Sequence, residues 1–120
     1  MSKKTLVLGA SLKEERYSNL AIYRLRKFNT DTVAIGMREG MVGDVQIHKE
    51  LIPFQGINTV TLYLNPKRQS EYYDYIISLR PERVIFNPGT ENPELYKLLK
   101  ENNIQSEVAC TLVLLETNQY

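Results

Sequence analysis

Short apolar, β-prone runs alternate with helix-like segments along the chain, and this alternation constrains the fold more than any other feature. The runs lie at 5–9, 32–35, 59–64 and 83–86. Fully apolar runs are typical of strands buried on both faces. Strands that alternate with helices across short connections favour a parallel sheet with right-handed crossovers. We therefore predict a Rossmann-like α/β three-layer sandwich with a parallel sheet of about five strands, the last near 105–109.

Helical spacing and capping signals occupy the segments between these runs. Apolar stripes with helical spacing are found at Ala21, Leu25 and Phe28, at Tyr72, Tyr73, Ile76 and Ile77, and at Leu95, Leu98 and Leu99. Helix boundaries are predicted by an N-cap at Asn92 before Pro93, by helix ends at 80–81 and 102–103, and by an N-cap at Ser70. The stretch 36–51 is expected to be irregular, with a short strand near 45–47.

Composition describes an ordinary globular chain. With 120 residues, 42% hydrophobic residues and 24% charged residues, the sequence fits one domain spanning 1–120. The 15 basic and 14 acidic residues nearly cancel, so the chain lacks the basic footprint of a nucleic-acid-binding protein. Any site for an anion must therefore come from a local arrangement of residues.

Cysteine usage and the amino terminus indicate the cellular compartment. A single cysteine, Cys110, excludes an internal disulfide, and with His48 as the only histidine no protein-built metal site is expected. No apolar run approaches the roughly 20 residues of a membrane span, and residues 1–4 run directly into a strand without a signal-peptide core. We expect a cytoplasmic protein with no membrane partner.

The turn after the first predicted strand is a candidate anion-binding site. In open parallel sheets, ligands bind beyond the carboxyl ends of the strands, and the first strand lies beside the point where strand order reverses. The dinucleotide fingerprint G-x-G-x-x-G is absent after Gly9, so the loop is longer and uses side chains. Arg16, Ser18 and Asn19 add donors at the start of a helix. The alternative is that Gly9 makes a tight turn and Ser18 caps the helix.

Arg38, beyond the second predicted strand, indicates the kind of ligand. An NAD site places an acidic residue at the end of this strand, but the sequence reads Ala-Ile-Gly-Met-Arg over 34–38, and Asp31 lies at the other end. A cation there suits a phosphorylated ribose, as in NADP or coenzyme A. The alternative is a solvated surface arginine.

Together these residues resemble the CoA-binding domain family, small Rossmann-like proteins similar to the N-terminal domain of the succinyl-CoA synthetase alpha subunit. The resemblance covers nearly the whole chain. Its most specific markers are Gly9-Ala10-Ser11 and Arg16-Tyr17-Ser18-Asn19. Further markers are Gly43, Leu51, the run 59–66, Asn87-Pro88-Gly89 with Asn92, and Cys110.

The resemblance implies a binding site for coenzyme A or an acyl-CoA. The diphosphate region would be lined by Gly9, Ala10, Ser11, Arg16, Tyr17, Ser18 and Asn19. By the same likeness Arg38 would lie near the phosphorylated ribose, adenine would be flanked by Leu64, Asn65 and Pro66, and the pantetheine arm would be bordered by Pro88 and Gly89. One departure is that the family often ends its second strand with Pro-Val-Asn-Pro, where this chain has Ala-Ile-Gly-Met over 34–37.

Other chemistry-bearing residues have simpler interpretations. His48 and Cys110 lie far apart in the sequence and no motif marks an acidic orienter, so a catalytic pair is not expected. Cys110 is expected to be buried, with exchange of its thiol with that of a bound CoA as the less favoured alternative. Tyr72, Tyr73 and Tyr75 are expected to pack a helix or to contribute to a homodimer surface.

Three functions are compatible with the sequence. The favoured one is a small nucleotide-binding module that binds coenzyme A or an acyl-CoA and catalyses no reaction. An NADP- or CoA-linked enzyme is the second, but a chain of 120 residues leaves no second domain to hold a substrate. A degenerate Rossmann-like interaction protein that has lost ligand binding is the third.

Overall fold

A computed structural model describes residues 3–120 of the chain. The strands are β1 (Thr5–Ala10), β2 (Thr32–Gly36), β3 (Gly40–Val42), β4 (Val45–His48), β5 (Thr59–Leu62), β6 (Arg83–Phe86) and β7 (Gln105–Val108). The helices are α1 (Tyr17–Lys27), α2 (Pro66–Gln69), α3 (Tyr73–Leu79), α4 (Pro93–Glu101) and α5 (Thr111–Glu116). A 3₁₀ turn, Ser70–Tyr72, joins α2 to α3.

The sheet has the order β3-β4-β2-β1-β5-β6-β7, and all neighbouring strands are parallel except the antiparallel pair β3 and β4. This confirms the predicted α/β sandwich, but the described residues form seven strands instead of about five. The additional strands come from the stretch 36–51, which forms a hairpin across the turn at Gly43 and Asp44. The predicted strand near 45–47 is therefore confirmed as β4, and β3 is the strand that the sequence analysis missed.

Side chains of β1 alternate between the two faces of the sheet. Leu6 and Leu8 belong to a core shared with α3 and α4, whereas Val7 belongs to a core shared with α1 and α5. Both clusters contain side chains from several strands and helices, and the central β1 residues are almost fully buried. The sheet is thus covered on both faces, as its apolar strands require.

Most of the predicted helix boundaries are confirmed. Asn92 caps α4, since its Oδ1 atom accepts a hydrogen bond from the backbone N–H of Leu95 at 3.4 Å. Arg80 ends α3 in the left-handed conformation, and Asn102 ends α4. The predicted N-cap at Ser70 is wrong, because the chain turns into a helix earlier and Asn65 caps α2 instead.

A polar network at the amino ends of the strands fixes one edge of the sheet. Arg83 donates to Thr59 Oγ1 at 2.9 Å, to Glu107 Oε1 at 2.9 Å and to the backbone oxygen of Tyr120 at 3.0 Å. The opposite, carboxyl edge is where loops and helix starts converge. Among residues 3–120, no helix is long and apolar enough to cross a membrane.

Candidate functional site

The candidate site is a crevice at the carboxyl edge of the sheet, above the end of β1. The connections from β1 lead to β2 on one side, and the chain later returns to β5 on the other side of β1. Strand order therefore reverses at β1 and β5, and parallel α/β sheets bind ligands at such a point. The segments that follow β1, β2, β5 and β6 surround the crevice.

Gly9 shapes the floor of the crevice through its backbone. Its φ angle is +94°, and an added Cβ would lie 3.0 Å from both Leu64 Cγ and the carbonyl carbon of Tyr63. The register between β1 and β2 shifts between Leu8 and Ala10, so Gly9 forms an irregularity in the strand. A glycine is needed here because the end of β1 approaches the segment that follows β5.

Asn19 folds the loop after β1 back onto the start of α1. The side chain of Asn19 is buried, and its Nδ2 atom donates to the carbonyl oxygen of Ser11 at 3.0 Å. The Ser11 hydroxyl accepts a hydrogen bond from the backbone N–H of Lys13 at 3.1 Å. Two of the predicted site residues, Ser11 and Asn19, are therefore joined directly to each other.

The start of α1 lacks the side-chain cap that the sequence analysis considered. Ser18 is buried as the second residue of the helix, and Arg16 is the N-cap residue. Within residues 3–120, the N-cap residue makes no side-chain hydrogen bond to the helix start. The interpretation of Ser18 as the cap is therefore wrong, because the N-cap position is occupied by Arg16, two residues earlier, and the helix already begins at Tyr17. The side chains of Arg16 and Tyr17 are exposed beside this helix start.

The segments after β2 and β5 form the side walls of the crevice. Arg38 is exposed two residues beyond the end of β2. Asn65 accepts a hydrogen bond from the backbone N–H of Arg68 at 3.1 Å, and Pro66 is the first residue of α2. Leu64 is buried against Gly9. Leu64 thus supports the floor, whereas Asn65 and Pro66 are exposed.

Pro88 and Gly89 form an exposed turn after β6. The backbone N–H of Gly89 donates to Glu91 Oε1 at 2.8 Å. Gln69 Nε2 donates to the carbonyl oxygens of Leu64 and Thr90, both at 2.8 Å. This buried amide connects the loops after β5 and β6 and holds the two walls in a fixed relation.

Two residues at the crevice were missed by the sequence analysis. Arg68, the third residue of α2, donates from Nη2 to Met37 Sδ at 2.8 Å, so its side chain crosses from the β5 side to the β2 side. Gln69 joins two loops, as described above. The signal for Arg68 was the Asn65-Pro66 pair, which marks a helix start after β5 and places Arg68 in its first turn.

A group of hydroxyls lies between β5, β6 and α5. Thr61 Oγ1 and Thr111 Oγ1 are 2.8 Å apart, and Asn87 Nδ2 donates to Thr61 Oγ1 at 2.7 Å. Burial raises the pKa of Tyr63 to about 12, although Thr61 and Thr111 act in the opposite direction. Tyr63 is therefore a neutral phenol at physiological pH and offers no charge to a ligand.

His48 lies away from the crevice, since it ends β4 and packs edge-on against Phe54. Cys110 directly precedes Thr111, which contacts Asn87 after β6 and Thr61 of β5, so the strands β2 and β1 lie between Cys110 and His48 in the sheet. Cys110 is half-buried, which corrects the expectation that it is buried. Hollows of about 340 and 710 Å³ lie between the ends of α1 and α5 and along α4 and β7. We place the site at the crevice because the starts of α1 and α2 and the exposed side chains of Arg16 and Arg38 follow the carboxyl ends of the strands around it.

The topology and the position of the crevice define a Rossmann-like α/β domain. The chain belongs to the CoA-binding domain family, whose model matches residues 3–116. This confirms the resemblance drawn from the Gly-Ala-Ser and Arg-Tyr-Ser-Asn motifs. No match is found among curated proteins.

Solved structures extend the comparison. The chain is similar to the crystal structure of an uncharacterized protein, with 45% sequence identity, a TM-score of 0.97 and coverage of 100% of this chain and 99% of that chain. It also resembles a hypothetical protein from Pyrococcus horikoshii OT3, with 26% identity, a TM-score of 0.84 and coverage of 97% and 83%. A Thermus thermophilus protein, cell-free ID.343, shares the fold at 19% identity and a TM-score of 0.86, with coverage of 99% and 91%.

Proposed function

We propose that the protein binds coenzyme A or an acyl-CoA in the crevice above β1 and catalyses no reaction itself. The observation that carries this proposal is the uncapped start of α1 beside the crevice, in a member of the CoA-binding domain family. The first turn, Tyr17 to Leu20, contains no acidic residue. The amino end of a helix has unpaired N–H groups and a positive dipole end, and both attract phosphate.

The chemistry of the surrounding side chains fits the phosphates of coenzyme A. Arg16 at the helix start and Arg38 beyond β2 are both exposed and free to bind an anion. None of the ion pairs formed among residues 3–120 involves either guanidinium. Arginine binds phosphate through parallel hydrogen bonds, which makes it the preferred cation for this task. The acidic neighbours Glu14 and Glu15 are exposed in the loop.

Each wall of the crevice has a proposed role. Gly9, Ala10, Ser11 and Asn19 shape the loop that would receive the diphosphate, and Arg38 would bind the phosphorylated ribose. Adenine would lie against the exposed Asn65-Pro66 segment. The turn at Pro88 and Gly89 would border the pantetheine arm. When bound, coenzyme A would supply the thiol that carries an acyl group, while the protein holds the nucleotide.

The proposal of a binding module without catalysis is supported by the positions of the nucleophile and base candidates. His48 and Cys110 lie on opposite sides of the central strands and cannot act as a pair. The Tyr63 phenol keeps its proton, because burial raises its pKa to about 12. These residues give the crevice no activated nucleophile.

A ligand panel tests the identity of the ligand. We expect coenzyme A and acetyl-CoA to raise the melting temperature more than dephospho-CoA, NAD, NADP or ATP. Arg38→Ala should abolish the difference between coenzyme A and dephospho-CoA, because that difference is one charge-assisted contact of about 1.5–3 kcal/mol. Lys97→Ala, which removes an exposed charge on α4, is the matched control. A larger response to NADP than to coenzyme A would contradict the proposal.

A second measurement tests the absence of catalysis. Acetyl-CoA is incubated with the protein, and release of free thiol is followed with a thiol-reactive dye. We expect the rate to equal the rate without protein. Thiol release in proportion to protein concentration would show an enzyme and would contradict this part of the proposal, while leaving the binding result intact.

A further inference from the structure

The contact between Arg68 and Met37 crosses the crevice from wall to wall. Arg68 lies in the first turn of α2, after β5, and Met37 directly follows β2. The strands β2 and β5 lie on the two sides of β1. The 2.8 Å contact between Arg68 Nη2 and Met37 Sδ therefore passes over the end of β1. A ligand bound above the end of β1 would therefore lie beside this contact.

Arg68 has an unusual partner for an arginine of this chain. Arg26 binds the carboxylate of Asp44 through three short contacts, and Arg83 binds the carboxylate of Glu107. None of the ion pairs within the part of the chain that the structure describes involves Arg68. A thioether is a weak acceptor, whereas a guanidinium carries five N–H donors. Among residues 3–120, the Arg68 side chain makes no other hydrogen bond or ion pair to protein atoms, so most of its N–H donors are open to a ligand.

The partner on the other wall is easily displaced. The Met37 side chain is 63% exposed, so its position depends little on packing. A phosphate oxygen forms a charge-assisted hydrogen bond with arginine, which is much stronger than a bond to a neutral sulfur. A phosphate in the crevice therefore competes successfully for Arg68.

We propose that Met37 holds the Arg68 guanidinium over the crevice and that, on binding, a phosphate group of the ligand replaces Met37 as the hydrogen-bond partner of Arg68. This inference rests on the proposed function and adds a binding residue from the β5 wall to those of the β1 loop. The ligand class is a nucleotide phosphate, and the coenzyme A diphosphate is the phosphate that the proposed function supplies.

Substitution of Arg68 tests the binding role. Arg68→Ala keeps the capping bond of α2, since that bond uses the backbone N–H of Arg68. We expect the dissociation constant for coenzyme A, measured by calorimetry, to rise roughly ten- to hundredfold. Arg68→Lys should recover part of this loss because it keeps the charge without the fork. Lys97→Ala should leave the constant within about twofold of the wild-type value.

Methionine methyl NMR tests the exchange of partners. The chain has three methionines, Met1, Met37 and Met41, and Met37→Leu assigns the Met37 signal. We expect coenzyme A to shift the Met37 methyl signal in the same direction as Arg68→Ala does without ligand. Met37→Leu removes the competing acceptor, so it should strengthen coenzyme A binding by roughly two- to threefold.

The outcomes separate this inference from the proposed function. The inference alone would be overturned if Arg68→Ala left coenzyme A binding unchanged, or if coenzyme A bound without shifting the Met37 methyl signal. The proposed function alone would be contradicted if the protein did not bind coenzyme A but ADP shifted the Met37 methyl signal and Arg68→Ala abolished that shift. This result would still support Arg68 as a phosphate-binding residue. A wild-type protein that responds to neither ligand would overturn both.

Discussion

Gly36 approaches the carbonyl oxygen of Ala10 so closely that an added Cβ would lie 2.1 Å from that oxygen. The two residues are partners at the ends of β2 and β1. The close approach brings the wall that carries Met37 and Arg38 against the floor of the crevice. A side chain at position 36 would separate these two strands where the site is built.

We predict that Gly36→Ala lowers the free energy of unfolding by about 2–3 kcal/mol, because the new methyl group meets backbone that cannot move aside. Gly40→Ala is the matched control, since its Cβ meets the end of the flexible Leu12 side chain at 2.7 Å. We expect the control to lose less than about 1 kcal/mol. Urea unfolding followed by circular dichroism measures both, and equal losses would contradict this account.

Asn87 joins three elements below the crevice. Its Nδ2 atom donates to Thr61 Oγ1 at 2.7 Å and to the carbonyl oxygen of Leu62 at 2.8 Å, and its Oδ1 atom accepts from the backbone N–H of Thr111 at 2.9 Å. We predict that Asn87→Ala costs about 3 kcal/mol, because buried polar groups on β5 and α5 lose their partner.

An exposed asparagine provides the comparison for Asn87. Asn102 Nδ2 donates to the carbonyl oxygen of Leu98 at 2.8 Å on the surface, where water can replace it. Asn102→Ala should therefore cost less than about 1 kcal/mol in the same unfolding experiment. If the two substitutions had similar effects, the three hydrogen bonds of Asn87 would not be a main support of the site.

The fold was predictable because its signal is repeated along the chain. Runs such as 5–9 and 83–86 are apolar after their first residue, and the helical stripes between such runs are bounded by clear signals, such as Asn92-Pro93 at the start of α4 and Asn102 at its end. The strand β3, which pairs with the predicted β4, was missed because it is three residues long and its only buried hydrophobic side chain is Val42. Such a strand forms because it pairs with β4, and its own residues carry little of the alternating hydrophobic pattern that predicts a strand.

The site was predictable in position but not in detail. The location of the loop after β1 follows from topology, and its polar residues are visible in the sequence. Helix caps at Ser18 and Ser70 were wrong, because neighbouring residues compete for the same position and local preference does not decide between them. The contact of Arg68 with Met37 joins residues 31 positions apart. Its geometry depends on how β2 and β5 flank β1, which no local pattern reveals.

The loop after β1 should open when Asn19 loses its donor. Asn19→Ala and Asn19→Asp both remove the N–H that binds the Ser11 carbonyl oxygen at 3.0 Å, and the aspartate keeps the shape of the side chain. We predict a loss of about 1–2 kcal/mol in unfolding free energy. We also predict faster trypsin cleavage after Lys13 and Arg16 in native buffer, read by mass spectrometry. Unchanged cleavage in both variants would show that Asn19 does not hold the loop.

Tyr75 anchors the segment between β4 and β5 onto α3. Its hydroxyl donates to the carbonyl oxygen of Ile52 at 2.5 Å, and burial raises the pKa of Tyr75 to about 12. An unfolded tyrosine has a pKa of about 10. Below that pH both states keep the proton, so the contribution of Tyr75 to stability is fully present. As pH rises from about 10 to about 12, the unfolded state loses its proton first, and stability falls.

Tyr75→Phe separates the hydrogen bond from the ionisation. At neutral pH the variant should be about 1 kcal/mol less stable than the wild type, because the Ile52 carbonyl loses its partner. Between about pH 10 and 12 the variant should lose stability less steeply, since its residue 75 has no proton to release. Urea unfolding at several pH values measures both effects, with Tyr17→Phe as the control at an exposed ring. A deficit that stays constant up to about pH 11 would contradict the role given to the buried phenol, because the ionisation of Tyr75 would then not be coupled to folding.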